Sequence, residues 1–143
     1  MDIARLIAGR DPAEIVTCPA GAAVREAVQL LADKRIGALP VMRDGMVAGI
    51  FSERDVLYRL AAEGAMCLER QVGEVMTAPP VTIAPETSAD EALALMTRRR
   101  IRHLPVIEHG AMVGFISIGD IVKGRIDEVT AEAEQMRQYI QMA

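Results

Sequence analysis

The sequence predicts a mixed α/β fold made of two similar strand–helix–strand–strand–helix units. Three observations carry that expectation. One pattern occurs twice at a constant offset, as from Val16-Thr17 to Val81-Thr82, Arg35-Ile36 to Arg100-Ile101 and Leu39-Pro40-Val41 to Leu104-Pro105-Val106. No gap is needed between residues 16–57 and 81–122, and 14 of 42 positions are identical. Helical and strand-like apolar spacing also alternate in the same order within both copies. Finally, 143 residues, half of them apolar, make one domain's worth of core. Neither copy is large enough to bury a core alone, so the two pack on each other. Their seam is the natural place for a ligand.

Residues 1–13 form a helical lead-in, residues 14–64 the first repeat and residues 65–78 a linker. Residues 79–125 form the second repeat and residues 126–143 a C-terminal helix. In the first repeat Val16-Thr17 opens as a short strand. Val24, Ala27, Val28 and Leu31 then give the i, i+3, i+4, i+7 stripe of a helix. Ala38–Met42 is an apolar strand, Asp44-Gly45 a hairpin turn that tolerates positive φ, and Met46–Phe51 the return strand. Ser52 opens a second helix carrying Val56, Leu57 and Leu60.

The second repeat follows suit, with a helix at Ala89, Ala92, Leu93 and Met96 and a strand at Leu104–Ile107. A turn at His109-Gly110 leads to a return strand at Met112–Ile116. Pro40 and Pro105 lack an N–H, so their strands are expected to be edges or to begin after the proline. Pro79-Pro80 forces an extended entry into the second repeat. In the last segment Val122, Ile126, Val129, Ala133, Met136 and Ile140 recur with heptad spacing. Two readings of this stripe stand: it packs on its own domain, or it docks on a helix of a second copy.

Composition excludes several functions. The formal charge is −4 and the sequence pI about 5.2, which argues against general nucleic-acid binding. No apolar run reaches membrane-spanning length, and the first residues lack a signal-peptide pattern, so a cytoplasmic protein with no membrane partner is expected. Cys18 and Cys67 lack CxxC spacing and read as reduced, buried thiols. Aromatic residues make up 3% of the chain. A base-binding site is therefore expected to grip with aliphatic side chains.

The duplicated unit, its Leu-Pro-Val strand and the closing Gly-x-x-Ser-x-x-Asp (Gly49, Ser52, Asp55; Gly114, Ser117, Asp120) resemble cystathionine β-synthase (CBS) domains. The chain resembles a stand-alone tandem CBS pair across about residues 14–125. The resemblance implies two βαββα repeats related by a pseudo-twofold axis, with small three-stranded sheets flanked by helices. It also implies a non-enzymatic regulatory module that binds an adenosine-containing ligand (AMP, ADP, ATP or NAD) between the repeats. Such modules form homodimers and pass their signal to a protein target.

Under that reading each site is composite. One joins Ser52, Arg54 and Asp55 to Val81, Thr82, Ile83, Arg102 and His103. The other joins Ser117 and Asp120 to Val16, Thr17, Cys18, Ile36, Gly37 and Ala38. A carboxylate such as Asp55 or Asp120 accepts from both ribose hydroxyls. Serine at a helix mouth suits a phosphate oxygen, and arginine pairs with phosphate in bidentate fashion. Arg102-His103 stand where the first copy has Gly37-Ala38, so the two sites are not equivalent. The Arg102/His103 site has more charge for phosphates, and the Gly37/Ala38 side has more room for adenosine.

Ser-x-x-Asp is also a helix-capping box, and both roles can hold at one helix mouth. Arg98 and Arg99 read as cations at a helix C-terminus. No phosphate-binding Gly-x-x-x-x-Gly-Lys loop, metalloprotease His-Glu-x-x-His or Gly-x-Ser-x-Gly elbow occurs, and a catalytic triad has no support. No catalytic cofactor or metal is expected. The alternatives are an assembly module without a nucleotide and, with less support, a small hydrolase.

Overall fold

A computed structural model describes residues 1–142. Helix α1 (Ile3–Ile7) starts at Asp2, whose carboxylate accepts the Arg5 N–H. The first repeat contains β1 (Cys18–Pro19), α2 (Val24–Lys34), β2 (Ala38–Arg43), β3 (Met46–Ser52) and α3 (Glu53–Glu63). A 3-10 turn (Gly64–Glu69) and the one-turn helix α4 (Val72–Val75) lead onward. The second repeat contains α5 (Ala89–Arg99), β4 (His103–Glu108), β5 (Ala111–Ser117) and α6 (Ile118–Met142).

Both hairpin turns behave as their Asp-Gly and His-Gly pairs require, with positive φ at Asp44, Gly45, His109 and Gly110. The two hairpins share one register at matched positions of the repeat, including a bulge after Val41 and after Val106. The opening strand sits two residues later than expected, at Cys18–Pro19, where it pairs parallel with Val41 and Met42.

The second sheet has two strands rather than three. Its third position keeps a single bridge, Ile83 to Val106. Chemistry explains the loss. In the first repeat the Ala20 N–H continues the ladder to the Met42 carbonyl at 2.9 Å. The equivalent residue of the second repeat is Pro85, which has no N–H to give. The expectation for Pro40 also needs correction. Strand β2 is central, not an edge, and begins two residues before the proline. The missing donor costs nothing because β1 begins opposite Val41, one residue beyond. Pro105 shows the same device: its carbonyl accepts from the Ile83 N–H at 3.1 Å, and the pairing starts there.

Each repeat has its own core, and each core is completed by a segment that precedes the other repeat. Val72 and Val75 of α4 fill the first core beside Val24, Leu39, Val41 and Phe51. Ile3 of α1 fills the second beside Ala92, Met96, Leu104 and Ile116. Backbone bonds seal both insertions. The Ile3 and Ala4 N–H groups reach the Thr87 and Pro85 carbonyls, both at 2.8 Å. The Val72 N–H reaches the Ala22 carbonyl at 2.8 Å. Strands β3 and β5 meet at the seam.

Helix α6 packs on the body through Ile121, which is buried, and Gly124, whose Cα lies against Leu6 and Met1. The heptad stripe points elsewhere: Val122, Ile126, Val129, Met136 and Ile140 are all exposed. The stripe does not pack on its own domain.

The two cysteines are free and buried. Burial, and then the Glu26 carboxylate, pushes the Cys18 thiol up to about 11.

The paired glycines Gly49 and Gly114 are needed for close approach. A Cβ at Gly49 would lie 2.6 Å from the Met76 sulfur and 2.7 Å from the Thr77 carbonyl oxygen. At Gly114 the nearest atoms belong to the Ile7 side chain, at 2.8 Å. Backbone yields less readily than a side chain on a short terminal helix. Gly49→Ala should therefore destabilise by about 1–3 kcal/mol, and Gly114→Ala by less. Urea unfolding of the two variants checks the order.

Candidate functional site

The sites begin at two helix mouths. Ser52 caps α3: its backbone N–H donates to Asp55 Oδ2 at 2.9 Å, and its Oγ accepts from the Asp55 N–H at 3.4 Å. Ser117 caps α6 in the same way, with bonds of 2.8 Å to Asp120 Oδ2 and 3.1 Å from the Asp120 N–H. Both Ser-x-x-Asp motifs are thus capping boxes, and a hollow opens beside each.

The hollow at Asp120 is lined by Val16, Ile36, Gly37 and Ala38 from the first repeat and by His103, Phe115, Ser117 and Asp120 from the second. Its volume is about 390 Å³, and Ile15 and Arg35 complete its wall. The hollow at Asp55 is lined by Val81, Ile101, Arg102 and His103 facing Ala38, Ile50, Ser52 and Asp55, and holds about 90 Å³. Nine wall positions of one correspond, repeat to repeat, to nine of the other. The clefts are therefore images of one another under the internal symmetry. The tenth, Arg35, matches Arg100, which lines a further hollow of about 300 Å³ that shares Ser52, Ile101, Arg102 and His103 with the Asp55 cleft. The Asp120 side is thus one continuous space, in the range of about 300–1,000 Å³ typical of small-molecule sites, and the Asp55 side is divided in two.

Substitutions at matched positions explain the difference. Gly37 in the large cleft is replaced by Arg102 in the small one, and Ile15 by Pro80. Thr77 of the linker and Pro79 at the start of the second repeat also line the small cleft.

The two carboxylates are also used differently. Asp55 Oδ2 takes the Ser52 N–H and hydroxyl, and Oδ1 takes the Thr77 hydroxyl at 3.0 Å. Three of its roughly four acceptor positions are filled. Asp120 accepts the Ser117 N–H on Oδ2 and an Arg10 N–H on Oδ1 at 3.2 Å. These two bonds fill two of its roughly four acceptor positions, and the carboxylate lines the cleft. Burial raises the Asp120 pKa, but the Ser117 N–H and the Arg10 guanidinium outweigh it and hold the carboxyl below its ordinary value.

Sequence-derived candidates fall into three groups. Val16, Ile36, Gly37, Ala38, Ser117 and Asp120 come together in the large cleft, and Ser52, Asp55, Val81, Arg102 and His103 in the small one. Arg54 lies outside both. It lines an adjoining hollow of about 300 Å³ with Arg100 and Arg102, and its guanidinium donates to the Arg100 carbonyl at 2.9 Å. Thr17, Cys18, Thr82 and Ile83 line neither cleft. Cys18 and Ile83 are core residues, and Val16 and Val81, two positions earlier on the same face, are half-buried against the same two cores.

His103 does more than expected. The sequence places it in the small cleft, yet it lines both and stands in the wall that separates them. Its ring stacks on Phe115, with centroids 5.4 Å apart and planes at 16°. The large cleft therefore has an aromatic wall, contrary to the aliphatic grip expected from composition.

Phe115 and Ile15 correspond to Ile50 and Pro80 of the other cleft, and the sequence singled out none of the four, so the repeat relates these positions without identifying them. Arg10 and Thr77 lie outside the repeated segments, and no signal exists for them. Arg35 lines the large cleft and ends α2 at φ 53°, a left-handed conformation more usual for glycine.

The comparisons follow the same division. The CBS-domain family model matches residues 11–62 and again residues 72–127. The CBS domain-containing protein CBSX3, mitochondrial, of Arabidopsis thaliana is 37% identical over 129 residues. That match covers 87% of this chain, which spans 63% of the relative's length. The solved structure of a CBS-domain containing protein from Agrobacterium tumefaciens is 38% identical, with a TM-score of 0.81. It covers 87% of this chain and 99% of that one. A solved CBS-domain protein from Burkholderia ambifaria is 37% identical with the same TM-score, covering 89% and 95% of the two chains.

Burial lowers the His103 pKa below 6.5; Asp120 and Glu53 oppose the shift, and Arg102 adds to it. The folded state thus resists protonation of the ring. The stabilisation is complete above pH 6.5 and fades as pH falls from there through the folded-state value. An NMR pH titration should place the His103 midpoint below 6.5, and a midpoint above it would mean that the ring is not buried in the shared wall.

Proposed function

Because the chain belongs to the CBS-domain family, we propose that it is a regulatory module that binds an adenosine nucleotide between its two repeats. One observation carries this reading. The large cleft combines a volume of about 390 Å³ with a stacked aromatic wall and a carboxylate that has acceptor positions to spare. Asp120 accepts from the vicinal ribose hydroxyls. The base lies among Val16, Ile36 and Phe115, and phosphate oxygens meet the mouth of α6 and the Arg35 guanidinium. Solved CBS pairs with related folds are in complex with AMP (CBSX2, 23% identical) and with 5′-methylthioadenosine and S-adenosylmethionine (MJ0100, 20% identical). These likenesses support the fold and the ligand class, and the residues of the cleft carry the rest.

On this reading AMP, ADP, ATP and NAD are the ligands to screen. The small cleft, with Asp55 almost saturated, is secondary. Ligand binding favours one arrangement of the repeats over another through its different affinity for the two. A homodimer passes that change to a protein target, without catalysis. No helix among the described residues is long and apolar enough to cross a membrane, in keeping with a cytoplasmic module.

Calorimetric titration tests the assignment. Losing charge-assisted hydrogen bonds worth about 1.5–3 kcal/mol, Asp120→Ala should bind the best nucleotide roughly 10–100-fold more weakly. Asp55→Ala should change affinity much less. Unchanged affinity in Asp120→Ala would reject the site.

A further inference from the structure

We infer that α6 pairs in parallel with α6 of a second copy through the stripe Val122, Ile126, Val129, Ala133, Met136 and Ile140. This deepens the homodimer part of the proposed function and is independent of the nucleotide. In a single copy the five large side chains of the stripe are 48–66% exposed. They lie well round the helix from the residues that meet the body. At 3.6 residues per turn the stripe is centred about 125° away from the face formed by Ile121, Gly124 and Glu128. Both faces of one helix are thus built for contact, and only one has a partner within the chain.

Helix stability supports the same conclusion. From Glu132 to Met142 every residue is exposed. An isolated helix of that length is marginal in water, and burying an apolar seam is what ordinarily holds such a segment together.

Charge complementarity selects the occupant and its direction. With Val122, Val129 and Met136 at d positions and Ile126, Ala133 and Ile140 at a positions, Glu132 falls at g and Arg137 at e. Two parallel copies place Glu132 of each beside Arg137 of the other, with no like-charged flanking pair. The full-length antiparallel register sets Glu132 against Glu132 and Lys123 against Arg137, and like charges repel at both. Arg137 has only a long contact of 3.8 Å to Glu134 within its own chain, so it is free to turn to the partner. A second copy laid in parallel therefore satisfies the apolar stripe and its flanking charges together.

The test uses the full chain without nucleotide. Sedimentation velocity at micromolar concentration should give twice the 15.5 kDa chain mass. Val129→Glu combined with Met136→Glu should halve that mass and leave the melting of the body intact, with loss of far-UV helical signal confined to the end of α6, since both side chains are exposed in one copy. Ile140→Cys should form an intermolecular disulfide on mild oxidation, because parallel pairing sets the two residues side by side; the native cysteines are buried and do not compete. A dimer that survives the double substitution would overturn this seam while sparing the homodimer. A dimer in which Ile140→Cys fails to cross-link would overturn the parallel direction. A monomeric wild-type chain would overturn both the seam and the homodimer, and the nucleotide reading would stand or fall on calorimetry alone.

Discussion

The exchange of lead-in segments between the repeats governs the rest of the molecule. Neither repeat closes its core alone: Ile3 must enter the second and Val72 with Val75 the first. Burying one such aliphatic side chain contributes about 1.5–3 kcal/mol, so each insertion is a sizeable part of a small core's stability. The crossing also has a chemical consequence. After α1 the chain passes beside β5 and brings Arg10 to Asp120. After α4 it pairs with β3 at Ile50 and brings Thr77 to Asp55. The contacts that lock the repeats together thus also furnish each acid with its partner.

From that shared frame the two clefts diverge by small changes. Gly37 against Arg102 and Ile15 against Pro80 distinguish one continuous cleft from one divided into two smaller hollows. The capping boxes are retained in both, because a helix N-terminus must be capped whether or not a ligand binds there. On the proposed reading, ligand binding is concentrated where capping leaves acceptor capacity over. Asp120 meets that condition, and Asp55, already holding the Thr77 hydroxyl, largely does not. His103 couples the clefts, since its ring stands in the wall of both.

Much of this was legible in the chain. The constant offset between the copies located every helix and hairpin of both repeats, because the apolar periodicity is strong and each turn carries a glycine at positive φ. The family resemblance, not the offset, paired Ser117 and Asp120 with Gly37 and Ala38 across the seam. What was not legible depended on contacts outside the repeat or on single atoms. Pro85 ended a ladder through one missing N–H. Arg10 reached an acid at the far end of the second repeat. Arg54 went to a backbone carbonyl, and Cys18 packed into the first core. Phe115 was missed because its match, Ile50, was not a candidate either and the scarcity of aromatic residues suggested an aliphatic grip.

The central claim is that ligand enters the cleft at Asp120 rather than its symmetric image. Backbone-amide NMR during titration with AMP addresses this most directly, since each cleft has its own reporters. The account predicts progressive shifts at Gly37, Phe115, Ser117 and Asp120, with much smaller changes at Ile50, Ser52 and Asp55. Shifts confined to the Asp55 cleft, or none at saturating nucleotide, would contradict it.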